Sequence, residues 1–220
     1  MKISKRTMQV LKQYSQINQS IRIKVGNVLS TKSVAENILA ETKVEESFEK
    51  EFSIYNLNEF LSAVSLFDNP DLEFSEKYVT IREEGARRGG LKYYYCNPSL
   101  IVYPTKSVVI PAEMVDVQFV VSEQQLSKLN KAGSVLGVQD LCVACDDEGI
   151  SLIVEDRTNP SSNDFEVRVS EVPVEPNEFY FKLDNLKLLP GDYEVLVTKK
   201  GIGMFKSVDG TCSVAIALET

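Results

Sequence analysis

Apolar side chains near the start of the chain recur with helical spacing. Met8, Val10, Leu11, Tyr14 and Ile17 share one side of a helix turning about 100° per residue, and Ser4 stands at the N-cap position. The pattern predicts a helix from Ser4 to about Gln16, with Lys5, Arg6, Gln9, Lys12, Gln13 and Gln16 on its other side. Short alternating stretches follow. Strands are expected at 21–25, at 28–30 after a turn at Gly26-Asn27, and at 38–44. A strand at 51–55 leads into a helix over 56–67 that buries Leu57, Phe60, Leu61 and Val64. Strands at 72–75, 78–82 and 91–95 complete a meander, whose last hairpin loop, 83–90, carries Arg87-Arg88 at a glycine-rich, solvated tip.

Between residues 97 and 117 the pattern becomes irregular. Pro98, Pro104 and Pro111 exclude a central strand there and mark an extended connector. The order of elements then starts again. Ser122 caps a second helix running to about Leu136, with Leu126 and Leu129 matching Met8 and Leu11 and with Gln124, Lys128 and Lys131 facing outward. Strands are expected at 138–145, 150–155, 165–169 and 178–182, then a short helical segment at 183–189 of about one and a half turns. Strands at 193–198, 202–208 and 212–218 close the chain. The chain reads as one unit used twice, an α+β design with helices on one face of an antiparallel sheet. The domains are expected at 1–98 and 118–220, joined by a connector at 99–117.

Charge sharpens this picture. The chain of 220 residues carries 24 basic and 32 acidic side chains, a net −8. Yet residues 1–35 hold seven of the basic ones and no acid, leaving 17 against 32, or −15, in the remainder. A surface helix normally mixes signs, because Glu and Lys four apart stabilise it. Acid-free helix faces in an acidic chain suggest contact with a polyanion, set against the plainer reading of a solvated face.

Other chemistry is excluded more easily. The chain has no histidine, which removes Ser-His-Asp and Cys-His nucleophiles and His-ligated metals. No nucleophile, base and oxyanion donor assemble, so no catalytic residue, enzyme activity, cofactor or metal is expected. Cys142 and Cys145 have the spacing of a metal or redox motif but lie in a strand, where residues three apart point to opposite faces; they read as buried thiols. The acidic turn at 146–149 lacks the ligand spacing of a calcium loop, and the glycines near Lys206-Ser207 sit in a hairpin rather than before a helix. No apolar run reaches the roughly 18 residues of a membrane span, and Lys12 interrupts any signal-like stretch. No membrane partner is expected.

Several segments, in order and across the whole chain, resemble the sliding clamps of T-even-type bacteriophages, the processivity factors of their DNA polymerases. They are the opening Met1-Lys-Ile-Ser-Lys5, the Leu11-Lys12 helix with Ile17-Asn18, and Ile54-Tyr-Asn-Leu-Asn-Glu-Phe-Leu61, together with Leu188-Leu-Pro-Gly-Asp-Tyr-Glu194 and Val214-Ala-Ile-Ala-Leu-Glu219. The resemblance implies the DNA-clamp fold, assembled into a six-domain ring. In that ring Lys5, Arg6, Lys12, Lys128, Lys131 and Lys187 would face duplex DNA, bound without sequence preference. It implies a DNA polymerase and an ATP-driven clamp loader as partners, a homotrimer, and action in the cytoplasm of an infected bacterial host. A pocket for partner peptides would involve Tyr103, Pro104, Val109, Pro111 and Leu218, and subunit contacts would join Tyr93, Tyr94 and Tyr95 to Phe165, Val167 and Val169.

Counting four helices per chain, twelve helices spaced by about 9 Å leave an opening of roughly 24 Å, against roughly 13 Å for eight. Three subunits then admit a duplex and two do not. Two other readings stand beside this one. One is a duplicated β-rich virion or tail component with no DNA role. The other is a single-strand binder that stacks bases on Tyr93–Tyr95.

Overall fold

The computed structural model describes residues 1–159 and 161–219. The chain divides into two compact units, Met1–Ser107 and Val108–Thr220.

In the first unit, α1 (Lys5–Tyr14) is capped by the Ser4 hydroxyl, which accepts from the Thr7 amide, and it buries Thr7, Val10, Leu11 and Tyr14. That spacing of i, i+3, i+4 and i+7 is one helical stripe, and each large apolar side chain on it contributes about 1.5–3 kcal/mol by leaving water. Tyr14 stays paired inside the core, its hydroxyl meeting the Leu29 carbonyl at 3.3 Å and the Thr42 hydroxyl at 2.8 Å. Strand β1 (Ile21–Ile23) pairs with β4 (Phe52–Ile54), which is followed by α2 (Leu57–Val64), capped by Asn56. Between them β2 (Gly26–Lys32) and β3 (Ile38–Phe48) form a hairpin. A three-stranded meander, β5 (Pro70–Phe74), β6 (Tyr78–Glu83) and β7 (Leu91–Tyr94), leaves β5 and β7 as edges.

Two expectations fail in this unit. Gly26 and Asn27 do not turn between strands; β2 already runs through them, with Gly26 opposite Phe48 across a bulge. The strand expected to stop at Val44 continues to Phe48. Inward positions Ile38, Ala40, Thr42, Val44 and Phe48 are buried, and the break in that series is Glu46.

The first unit closes after a one-turn 3-10 helix at Pro98–Leu100, and in the second a similar turn at Ala112–Met114 precedes β8 (Val117–Val121), a strand absent from the sequence reading. Its alternating burial of Val117, Phe119 and Val121 is the two-residue period of a strand with one face covered. Helix α3 (Glu123–Leu136) has a full capping box between Ser122 and Gln125 and ends at Gly137, whose φ of 70° suits glycine. One sheet orders β11 (Phe165–Ser170), β10 (Gly149–Glu155), β9 (Asp140–Asp146) and β12 (Asn177–Lys182), with α3 packed on β10 and β11. The other strands, β15 (Cys212–Ala217), β14 (Ile202–Ser207) and β13 (Tyr193–Thr198), pair in that order and reach β8 through β13.

The helical segment expected at 183–189 is a single 3-10 turn, Leu183–Asn185. Its first amide is held by the Gln139 carbonyl at 2.9 Å, and Leu186 leaves helical geometry at ψ 61° ahead of Pro190-Gly191. The described residues of this unit therefore contain one α-helix, which removes the four-helix premise of the subunit count.

Candidate nucleic-acid interface

Helix α1 presents Lys5, Gln9 and Lys12 to solvent, with Gln16 exposed just past its end, Arg6 half-buried and no acid along its length. Helix α2 packs beside it. A shallow groove between them is floored by Met8 and Leu61 and rimmed by Gln9, Lys12, Asn58, Ser62 and Ser65, with no carboxylate in its lining. An amide-rich, singly charged rim over apolar side chains suits a sugar–phosphate backbone, which has no base-specific edges to read.

Basic residues in the first turn of a helix oppose its dipole. Lys5 and Arg6 stand there, and the missing acid comes from elsewhere: Glu46 of β3 accepts from the Ser4 amide and the Thr7 hydroxyl. Burial disfavours the Glu46 anion, but the hydrogen bonds from Thr7 and Ser4 outweigh it and hold the carboxyl below its ordinary value. Sequence reasoning missed Glu46, because its partners lie about forty residues upstream and only folding joins them.

In the second unit α3 exposes Gln124, Ser127, Lys128, Asn130, Lys131 and Ser134. Its one acid, Glu123, is in the first turn, where the dipole favours it. Lys187 belongs to no helix; it follows the 3-10 turn, half-buried, with its amide on the Asn185 carbonyl.

The expected peptide-pocket residues have mixed environments. Tyr103 is half-buried beneath the Arg22 guanidinium, 4.4 Å from the ring centroid, and Arg22 also pairs with Glu51. Pro104 is buried, Leu218 half-buried, and Val109 and Pro111 are exposed. Both strands proposed for subunit contacts are sheet edges, β7 in its meander and β11 in its sheet. Phe165, Val167 and Val169 are half-buried along β11. The tyrosine run is largely structural: Tyr93 packs on Phe60 and donates to the Asn56 carbonyl, Tyr95 stacks on Phe52 at 4.9 Å, and Tyr94 alone is well exposed. Burial pushes both Tyr93 and Tyr95 up to about 12. Three adjacent rings cannot form one stacking platform when two of them are half-buried and packed on Phe60 and Phe52.

Cys142 and Cys145 are buried on β9 opposite Ile153 and Ile150 respectively. Burial raises both thiols, Cys142 to about 12, which leaves little thiolate to react or bind metal. No helix among the described residues is long and apolar enough to cross a membrane.

Two α+β units of this construction, each presenting a cationic, acid-poor helix face, define the DNA-clamp class of protein. The fold agrees with solved clamps. Over 97% of this chain and 94% of the other, it matches the Archaeoglobus fulgidus PCNA solved with the C-terminal region of FEN-1, at a TM-score of 0.68 and 14% identity. Over all of this chain and 65% of the other, it matches the Helicobacter pylori beta clamp solved with a DNA ligase peptide, at a TM-score of 0.71 and 13% identity. Residues 2–103 match the family model described as DNA polymerase processivity factor, and 118–220 match that of the gp45 sliding clamp, C terminal. The sliding clamp of Vibrio phage KVP40 is 32% identical over 93% of this chain and 94% of its own length. The chain belongs to the sliding clamps, the processivity factors of DNA polymerases. The virion-component reading finds no support in this kinship.

Proposed function

We propose that this clamp closes around duplex DNA as a homotrimeric ring, with α1 and α3 toward the duplex and Lys5, Arg6, Lys12, Lys128 and Lys131 nearest the phosphates. The observation that carries this reading is the acid-poor outer face shared by α1 and α3 in a chain of net −8. Lys187 is the weakest member of the set, since no helix carries it. A six-unit ring needs three of these two-unit chains, and edge-to-edge pairing of β7 with β11 would satisfy backbone groups that otherwise invite uncontrolled association.

A closed ring is retained by topology, so its hold on a circle is insensitive to salt that strips ordinary binders. A closed ring also needs opening, which calls for an ATP-driven loader. The polymerase is the second partner, with its peptide near Tyr103, Pro104, Val109, Pro111 and Leu218. The FEN-1 and DNA ligase peptides in the two matched clamps support peptide docking as the mode. The working compartment is the cytoplasm of an infected bacterium, as suggested by the phage relatives.

The test is to change Lys5, Lys12, Lys128 and Lys131 together to Ala. Sedimentation should still give three times the chain mass, while loading and polymerase processivity on a primed circle fall at least tenfold. Wild-type clamp loaded on nicked circles should survive high salt and leave when the circle is cut. Loss of assembly in the variant, or equal loss from circles and linear DNA in the wild type, defeats the reading.

A further inference from the structure

The hairpin tip between β6 and β7 carries two arginines that the helix-face reading leaves unused. Among the described residues, Arg22 pairs with Glu51, Arg82 with Glu73, and Arg168 with Asp146 and Glu148, while Arg157 lies over the Tyr180 ring. Among the described residues, Arg6, Arg87 and Arg88 have no carboxylate within ion-pair distance. In an acidic chain the uncompensated guanidinium groups therefore gather in two places, the first turn of α1 and this tip.

Those two places are neighbours. Lys2, just ahead of α1, forms an ion pair with Glu84 at 2.7 Å, and Lys2, Lys5 and Glu84 line one groove, with Asp68 as its other carboxylate. The base of the hairpin is fixed. The Glu83 carboxylate accepts from the amides of Asp68 at 3.0 Å and Asn69 at 2.8 Å, and the Glu84 amide donates to the Asn69 carbonyl at 2.9 Å. Both acids that could neutralise the tip in Glu83-Glu84-Gly-Ala-Arg87-Arg88 are thus committed to holding its base. Arg87 and Arg88 remain exposed on an anchored loop.

We infer that Arg87 and Arg88 form a second phosphate contact for duplex DNA, continuous with the basic start of α1 and independent of the helix groove. The inference rests on the reading that DNA runs along α1. A guanidinium at a loop tip contacts phosphate without reading sequence, so this site adds hold and orientation rather than specificity.

Binding of the intact wild-type clamp to a labelled linear 30-base-pair duplex, measured by anisotropy over a salt series, tests it. Each phosphate contact adds about 0.9 to the slope of log affinity against log salt. Arg87→Ala with Arg88→Ala should lower that slope by about 1.8. Between 50 and 200 mM salt the wild type then loses roughly tenfold more affinity than the variant. Arg87→Lys with Arg88→Lys should restore most of the slope, because charge carries the contact. Lys5→Ala with Lys12→Ala is the control for the underlying reading. If that pair lowers the slope and the arginine pair does not, the tip inference is wrong and the α1 reading stands. If neither moves it, both fall. An unchanged slope with weakened polymerase or loader stimulation would assign the tip to an acidic protein surface and overturn the inference.

Discussion

Glu46 makes a measurable demand on the stability of the first unit. It is the anion at the N-terminus of α1, a helix that brings no acid of its own to its first turn and places Lys5 and Arg6 there instead. Replacing Glu46 by Ala removes an ionised acceptor from two donors. The Thr7 side chain is fully buried, so water cannot take over, although the Ser4 hydroxyl at 3.1 Å offers a poorer neutral partner. Hydrogen bonds to charged groups contribute about 1.5–3 kcal/mol each, and the dipole adds about 0.3–1 kcal/mol. With partial compensation at Ser4, Glu46→Ala should destabilise by about 2–3 kcal/mol. Thr7→Ala added to that variant should cost little more, since the two act as one unit.

The pH dependence has a definite sign. The folded-state carboxyl lies below its ordinary value, so its contribution is present above the unfolded-state pKa and is lost as pH falls through the folded one. The gap between wild type and Glu46→Gln should therefore be constant near neutrality and close in the acid range below the ordinary glutamate pKa. Urea unfolding followed by circular dichroism, at one fixed protein concentration because assembly couples to stability, measures this. A Glu46→Ala cost under about 0.5 kcal/mol, or a gap that does not narrow as the pH falls below the ordinary glutamate range, refutes the reasoning.

Two further outcomes are expected. Gly149 has φ 134°, and a Cβ there would collide with the Ser170 backbone, so Gly149→Ala should cost roughly 3 kcal/mol or more, read as a lowered urea midpoint; near-wild-type stability would contradict that packing. Among the thiols, half-buried Cys96 should react first with a disulfide reagent at mildly alkaline pH, while Cys142 and Cys145 wait for unfolding; prompt labelling of Cys142 would show that β9 opens.

The three α-helices were legible because each has a local cap and a stripe of apolar residues at helical spacing. Ser4, Asn56 and Ser122 each accept from an amide three residues on, which no distant contact has to supply. Segments such as 54–61 and 188–194 carried the resemblance. The end of β3 was hidden because Glu46 interrupts the apolar alternation at an inward position, and only the folded chain gives that carboxylate its purpose. The 3-10 turn at Leu183 was hidden for the opposite reason. Its apolar residues suit a helix, but Leu186 leaves helical geometry at ψ 61° and Pro190-Gly191 follow, so none continues. Strand edges, likewise, are a property of pairing and not of any single stretch.

From residue order alone came the duplication, the acid-free basic stripes and the absence of histidine chemistry, since charge count and periodicity are local quantities. Tertiary structure alone decided which arginines go unpaired, which tyrosines become core, and where α1 finds its anion. Those depend on contacts between residues dozens of positions apart, and burial, charge pairing and hydrogen bonding acquire values only when such residues meet.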